Sequence, residues 1–345
     1  MHKIRVGLIA LLFVVTGGSW AEAAHAPWPA DWNNWSDPAL WCTVGNAGNT
    51  ADYTGYGKVD YIYNIGKFDV TAGQYVAFLD AVAKLDTYGL YNVDMATNVM
   101  GPRIQRTSQS DGYHYSVASD YANRPVSDVS WGDAARFCNW LTNGQPAGGE
   151  GLTTTEDGSY YLNGATGTQV AGVSRKTVAQ GARYVLPTEN EWYKAAYHKN
   201  DGVTGNYWDI PMGCNTVPGR DLNELTNPGD NANFWVQGGM PIDSGTYYTT
   251  VVGEFELSQS PYGTFDQGGN VMQWTENQLS TFGYMMGDSF YAGGGSIEAS
   301  NSRAMWSLTQ EDPTLGFRIA EVPEPATLTL LALGTAGLLA RRRAA

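Results

Sequence analysis

The stretch GGGSIEASNSRAMW, residues 293–306, combines residue types that could bind a ligand. Three glycines before a serine can cradle a phosphate, or they can let a strand pass close to a buried site. A phosphate-binding loop leads into a helix with a lysine and a serine or threonine, but no lysine follows Ser296 here. A phosphate-binding loop is therefore not expected here.

Thiols and imidazoles, the strongest metal ligands, are scarce. Beyond the first residues of the chain they are Cys42, Cys138, Cys214, His25, His114 and His198. No two cysteines form a CxxC pair, and an odd number in an exported chain allows one disulfide with a spare thiol, or none. A site of three histidines, or of two histidines and a carboxylate, is hard to assemble from this set.

The N-terminus has the pattern of a secretory signal peptide. Basic residues precede the apolar run 6–15, and small-x-small spacings at 21–23 and 24–26 offer cleavage sites. The run is well short of the ~20 residues that a membrane-spanning helix needs. We predict a cleaved signal over 1–26, an N-terminal extension over 27–60, and export of the protein.

The C-terminus carries Pro-Glu-Pro, a short apolar stretch and a basic cluster. The stretch 326–340 would barely bridge a thin hydrocarbon core, and arginines 341–343 would stay cytoplasmic. In an exported protein this tail, 321–345, resembles the PEP-CTERM class of sorting signals. The resemblance implies a bacterial envelope, transient anchoring, a sorting protease or transpeptidase as partner, and often a connection with exopolysaccharide. A plain C-terminal anchor is the alternative.

The charge balance restricts the possible partners. The whole chain has a net charge of −14, and loss of both ends removes five basic and only two acidic residues. A strongly acidic protein is a poor partner for nucleic acid or anionic lipid, because its own field repels them. The same charge suits cation binding.

Few segments have the period of a helix. They are residues 71–85, 130–144 and 186–199. The first opens on a capping box of Thr71 and Gln74 and should bury Leu85, while the third has Thr188 as N-cap and His198 near its dipole. Residues 60–70 and 245–256 alternate as strands do. With long loops between these elements, the pattern predicts one α+β domain.

An ordered set of motifs connects this chain to a known family. In sequence order they are RPVSDVSWGDAARFCNWL, ARYVLPTENEWYKAAY, NANFW, SPYGTFDQGGNVMQW, GGGSIEASNSR and GFRIA. Together, over residues 61–320, they resemble the formylglycine-generating enzymes, also called sulfatase-modifying factors. The resemblance implies a C-type-lectin-like fold, a twisted antiparallel sheet with few helices and abundant loops.

The family resemblance implies calcium, which takes six to eight oxygen ligands. Carried over by position, the ligands of a first site are Asn233, the carbonyl of Phe234, Asp243 and the carbonyl of Gly245. Those of a second site are Asp266, the carbonyls of Gly269 and Val271, and Gln273. The family places a glutamate where this chain has Gln273, so we expect the second site to bind more weakly.

The resemblance also locates the oxidase chemistry of the family. Active members hold Cu(I) between two cysteines after the R-G-G-S segment, since soft thiolates select Cu(I). Here Ala299 stands where the first cysteine belongs, and SNSRAMW offers no second one. We therefore expect copper to be absent and the position to be a vacant thiol site, with no catalytic residue assigned.

Three functions follow from this interpretation. The first is a non-oxidase binding module that holds a glycan or peptide in the former substrate cleft, which the resemblance lines with Ser296, Glu298, Arg303 and Trp306. The second is a formylglycine-generating oxidase whose metal ligands come from elsewhere in the chain, or a relative that uses iron. The third is a structural protein of the envelope matrix whose role depends on its tail. Copper binding separates the second from the other two.

Overall fold

A computed structural model describes residue 29 and residues 31–236, 247–293, 297–299 and 301–322. The predicted signal peptide and the apolar part of the sorting tail lie outside these residues. Within them, no helix is long and apolar enough to cross a membrane. The helices are α1 Ala72–Val82, α2 Asp94–Thr97, α3 Ser119–Ala122, α4 Trp131–Thr142 and α5 Glu189–Tyr197.

Ten strands of the described chain form two four-stranded sheets and a hairpin. They are β1 Trp41–Val44, β2 Tyr63–Gly66, β3 Gln105–Gln109, β4 Gly112–Ser116, β5 Tyr184–Val185, β6 Met272–Leu279, β7 Phe282–Met286, β8 Arg303–Ser307, β9 Leu315–Phe317 and β10 Ala320–Glu321. The first sheet has the order β1-β2-β10-β5 and the second β8-β7-β6-β9, while β3 and β4 pair alone. All pairings are antiparallel except that of β6 with β9. The α+β class is confirmed.

The three long helices start where their capping signals place them. The capping boxes of Thr71 with Gln74 and of Thr188 with Glu191 both form. Two details differ from expectation. Leu85 lies beyond the end of α1 and is exposed. His198 is buried, and its Nδ1 forms a hydrogen bond with the Tyr262 hydroxyl at 2.8 Å. Burial lowers the pKa of His198, so this side chain is not a positive charge at the end of the helix.

One predicted strand does not form. Residues 247–256 run through turns and contribute no strand to either sheet. Their backbone groups are bound by other loops: Thr250 N donates to Asn270 Oδ1 at 3.0 Å, and Val252 N donates to the Asn123 carbonyl at 2.9 Å. Gly253, at φ 74°, reverses the chain there. The alternation of aromatic and polar residues in this segment therefore did not indicate a strand.

The tryptophans of the sequence motifs connect the helices to the second sheet. Trp131 of α4 donates its indole N–H to the Thr275 carbonyl at 2.9 Å, and Trp274 of β6 returns a bond to the Val129 carbonyl at 2.9 Å. Both side chains are fully buried. Because a buried indole N–H needs an acceptor, this reciprocal pair fixes the position of α4 against β6.

Candidate functional site

The segment between β7 and β8 is described at residues 287–293, 297–299 and 301–302, and Ala299 in it packs against α5. Its last turn is closed by the Glu298 carbonyl, which accepts from Asn301 N and Ser302 N at 2.9 Å each. Ala299 N donates to the Asp209 carbonyl at 2.7 Å. These backbone bonds hold Ala299 against the helix, so its side-chain environment is set by the fold.

Ala299 occupies an apolar environment. It is 6% exposed and belongs to a cluster that includes Trp192 and Tyr197 of α5 and Met286 of β7. The Tyr197 hydroxyl donates to the Ile297 carbonyl at 2.9 Å, which fastens the segment to the helix. A methyl group at this position completes a hydrophobic contact and offers no metal ligand.

The three cysteines, all in the described part of the chain, are unpaired and lie in different environments. Cys42 is buried on β1 and Cys138 on α4, both within the main core. Cys214 is half-buried and packs against the cluster that contains Ile297, two residues from Ala299. Only one thiol therefore lies near the vacant position, whereas a bis-thiolate site needs two.

Burial raises the pKa of all three thiols. It raises the pKa of Cys42 to about 11 and that of Cys138 still further. Burial raises the pKa of Cys214 to about 12, and a hydrogen bond to Asp230, 3.0 Å from Sγ, adds to the effect. Without a metal, the three thiols are therefore neutral near pH 7.

Arg303, the first residue of β8, is held by an ion pair and two tyrosines. Its Nε donates to Glu189 at the start of α5, and its guanidinium lies 3.6 Å from the centroid of the Tyr284 ring and 5.6 Å from that of Tyr56. The side chain remains 35% exposed. The arginine is thus oriented by its neighbours and still accessible to a ligand.

Two aromatic side chains near this segment were not found from the sequence. Trp235 is 42% exposed and forms a bridge with Gly293, donating its backbone N–H to the Ala292 carbonyl at 2.8 Å. Tyr291, two residues before Gly293, is 61% exposed. They flank the glycine-rich stretch, and rigidly placed exposed aromatics are typical of binding surfaces.

The predicted pocket is assembled only in part. Ser296 lies outside the described residues, and Glu298 is half-buried in the same turn as Ala299. Trp306 is three residues from Arg303 on a regular strand, so it faces the opposite side of the sheet and packs on the main core. The surface around Ala299, Arg303, Trp235 and Tyr291 is called the Ala299 surface below.

A family model for the sulfatase-modifying factor enzyme 1-like domain matches residues 58–322 of the chain, well over half of it. The chain belongs to this family. A second model, for the PEP-CTERM protein-sorting motif, matches residues 321–343. The motif is a signal for export to the cell envelope and for recognition by a sorting machinery, so this sulfatase-modifying factor-like protein is exported.

Three solved structures are similar to this sulfatase-modifying factor-like domain over most of their length. A crystal structure of CarF is 21% identical, covers 82% of this chain and 98% of its own, and has a TM-score of 0.50. Treponema denticola variable protein 1 is 18% identical, with 82% and 95% coverage and a TM-score of 0.47. PvdO from Pseudomonas aeruginosa is 14% identical, with 82% and 91% coverage and a TM-score of 0.40. No curated protein matches the chain.

The predicted ligands of the two calcium sites belong to loops that contact each other. Asn233 donates from Nδ2 to the Tyr248 carbonyl at 2.9 Å, and its own carbonyl accepts from Asn270 N at 2.8 Å. Gly269 approaches so closely that a Cβ there would lie 2.3 Å from the Asn233 oxygen. The Phe234 side chain is buried against Ile297. Asp243 and Gly245 lie outside the described residues, so the first site stays a prediction.

The side chain of Gln273, which stays a predicted calcium ligand, is hydrogen-bonded within the protein in this structure. Its Oε1 accepts from Trp192 Nε1 at 2.6 Å and from Arg318 Nε at 3.0 Å, so both lone pairs are used. Its Nε2 donates to the Asp266 carbonyl at 2.8 Å. Asp266 itself has a pKa raised to about 6 by burial. Asp266 and the carbonyls of Gly269 and Val271 remain as predicted ligands of a second site.

Among the described residues no group of three His, Cys, Asp or Glu side chains is arranged for a metal.

Replacing Gln273 with glutamate should make the stability more dependent on calcium. The variant loses the donor to the Asp266 carbonyl and places a carboxylate oxygen against it, which should cost about 1–3 kcal/mol without calcium. Added calcium should raise the melting temperature more in the variant than in the wild type. Gln74→Glu, which loses a similar donor to the Trp32 carbonyl at 2.7 Å, is the control without calcium rescue. Equal calcium shifts in both variants would contradict the prediction.

Proposed function

We propose that this exported protein is a non-oxidase binding module, which holds a glycan of the cell surface or of an exopolysaccharide at the Ala299 surface. The observation that carries the proposal is the environment of Ala299, where an apolar cluster fills the position of the first copper thiol. By the family resemblance Cu(I) would need two cysteines, and Cys214 is the one thiol that packs against the cluster containing Ile297.

The remaining features of the surface support the binding of a saccharide. Trp235 and Tyr291 are exposed aromatic residues of the kind that stack on sugars, and Arg303 supplies a hydrogen-bond donor held in place by Glu189. The sorting tail would place the module at the outer envelope, where such polymers occur. Calcium, through Asn233 and its neighbouring loop, is part of the proposal as a stabiliser of these loops.

Removing either aromatic side chain should weaken glycan binding and leave folding intact. Screening the full chain on a glycan array identifies a bound saccharide, and titration calorimetry then compares Trp235→Ala and Tyr291→Ala with the wild type. Each substitution should weaken binding about tenfold or more, since a stacked ring contributes over a kilocalorie per mole. Tyr161→Ala removes a similarly exposed tyrosine, 55% exposed, from another loop and should bind as the wild type does.

The competing oxidase function is tested on the same protein. The full chain, supplied with Cu(I), oxygen and a cysteine-containing sulfatase peptide, should yield no formylglycine by mass spectrometry. Formation of the aldehyde would overturn the proposal, and substitution of Cys214 by serine would then show whether that thiol takes part. A flat glycan array from folded protein, without aldehyde, would instead favour the structural role in the envelope matrix.

A further inference from the structure

A second polar and aromatic surface lies on the outer face of the first sheet, whereas Arg303 belongs to the second sheet. The strands contribute Thr43 from β1, Asn64 from β2 and Glu321 from β10, and Arg183 immediately precedes β5. The strand register places Asn64 opposite both Thr43 and Glu321. The four side chains thus form a row across the sheet.

This row is a continuous chain of hydrogen bonds. Thr43 Oγ1 donates to Asn64 Oδ1 at 2.8 Å, and Asn64 Nδ2 donates to Glu321 Oε2 at 3.0 Å. Arg183 Nε donates to Glu321 Oε1 at 3.1 Å. Each side chain is therefore fixed by its neighbours, and the one acid in the row is balanced by the one base. Such a row presents ordered polar groups without net charge.

Aromatic side chains form the other half of the same face. Trp41 stacks on Tyr184 with a centroid distance of 5.7 Å and an interplanar angle of 19°. Trp35 meets Trp41 edge-on at 5.9 Å and accepts its indole N–H through the backbone carbonyl at 3.0 Å. The polar row and this aromatic wall line an open cavity of about 340 Å³, within the size range of small-ligand sites.

The indole N–H of Trp35 has an unmet hydrogen bond. Trp35 is 6% exposed and lines the cavity, yet its Nε1 has no acceptor among the described residues. A buried donor without a partner costs about 1–3 kcal/mol. The nitrogen itself is buried, so a molecule in the cavity could reach it only if the Trp35 ring moved.

We propose that this cavity is a second saccharide-binding site that takes an uncharged sugar ring. A sugar hydroxyl both donates and accepts, which matches the alternating groups of Thr43, Asn64 and Glu321. The balanced pair of Glu321 and Arg183, on a chain of net charge −14, favours a neutral ligand over an anionic one. Because β10 leads directly into the sorting motif, a polymer bound here would be held beside the point where the tail attaches.

Titration of the full chain with cellotriose, maltotriose and triacetylchitotriose, followed by tryptophan fluorescence, tests this site. At least one trisaccharide should give a saturable change. Asn64→Ala should weaken that binding about tenfold and Thr43→Val about threefold, as expected for lost hydrogen bonds. Asn64 is half-buried and Thr43 is exposed, so both variants should remain folded, and melting curves check this.

The two proposed surfaces give different results in this experiment. Tyr291→Ala, which changes the Ala299 surface, should leave trisaccharide binding at the second cavity unchanged. Three flat titrations of the folded wild type would overturn the second site without affecting the first. Binding that is lost in Tyr291→Ala but retained in Asn64→Ala would also overturn it, and would assign the sugar to the Ala299 surface alone.

Discussion

Replacing Arg318 with methionine should lower the free energy of unfolding by about 3–5 kcal/mol, among the largest effects expected in this domain. The guanidinium is fully buried and bonds to Asp69 Oδ1 at 3.1 Å, to Gln273 Oε1 at 3.0 Å and to the Gly66 carbonyl at 2.6 Å. The methionine leaves the Asp69 carboxylate buried and unpaired. Urea unfolding followed by fluorescence measures the change.

The effect should depend on the orphaned carboxylate. Burial raises the pKa of Asp69, which Arg318 opposes, and Asp69 Oδ2 already has no hydrogen-bond partner among the described residues. Adding Asp69→Asn to Arg318→Met should therefore recover part of the lost stability. Arg183→Met, at an ion-paired arginine that is 43% exposed, is the control and should cost about 1 kcal/mol or less. Equal losses in both arginine variants would contradict the argument.

The parts of the fold that the sequence predicted well depend on local signals. Capping boxes act within four residues, so the starts of α1 and α5 could be found from Thr71 and Thr188 alone. The ordered motifs identified the family because each keeps its spacing along the chain. Strand alternation was less reliable: residues 247–256 show the pattern, but their partners come from loops elsewhere in the chain.

The site was predicted less completely because it depends on contacts between distant segments. Nothing in the spacing of Cys214 and Ile297 indicates that they share a cluster. Trp306 packs on the main core from the side of β8 opposite to Arg303, and this placement depends on where β8 begins, because a shift of one residue moves every side chain across the sheet. The hydrogen bonds from Trp192 and Arg318 to the Gln273 oxygen likewise join segments that are far apart in the chain.

The stability of the domain should fall as the pH rises from about 4 to about 8, and Asp128 should be a principal cause. Burial, with Asp94 and Asp312 nearby, raises the pKa of Asp128 to about 7, and burial raises that of Glu311 to about 8. Below pH 4 these groups are protonated in both the folded and the unfolded state. As the pH rises, the unfolded chain releases its protons first, so the folded state loses its relative stability until its own groups ionise.

Asp128→Asn should therefore stabilise the protein at pH 8 by on the order of 2–4 kcal/mol, since each tenfold difference in proton affinity between the folded and unfolded states corresponds to about 1.4 kcal/mol. The variant should differ little from the wild type at pH 4. Asparagine suits the left-handed backbone at φ 58°, and its amide can donate where Asp128 Oδ2 now has no partner among the described residues. Asp60→Asn, at a side chain 69% exposed, is the control. Melting curves at both pH values test whether the stabilisation depends on pH. If Asp128→Asn stabilised the protein equally at pH 4, the effect would come from the new hydrogen bond, because the ionisation of Asp128 contributes only above its unfolded pKa.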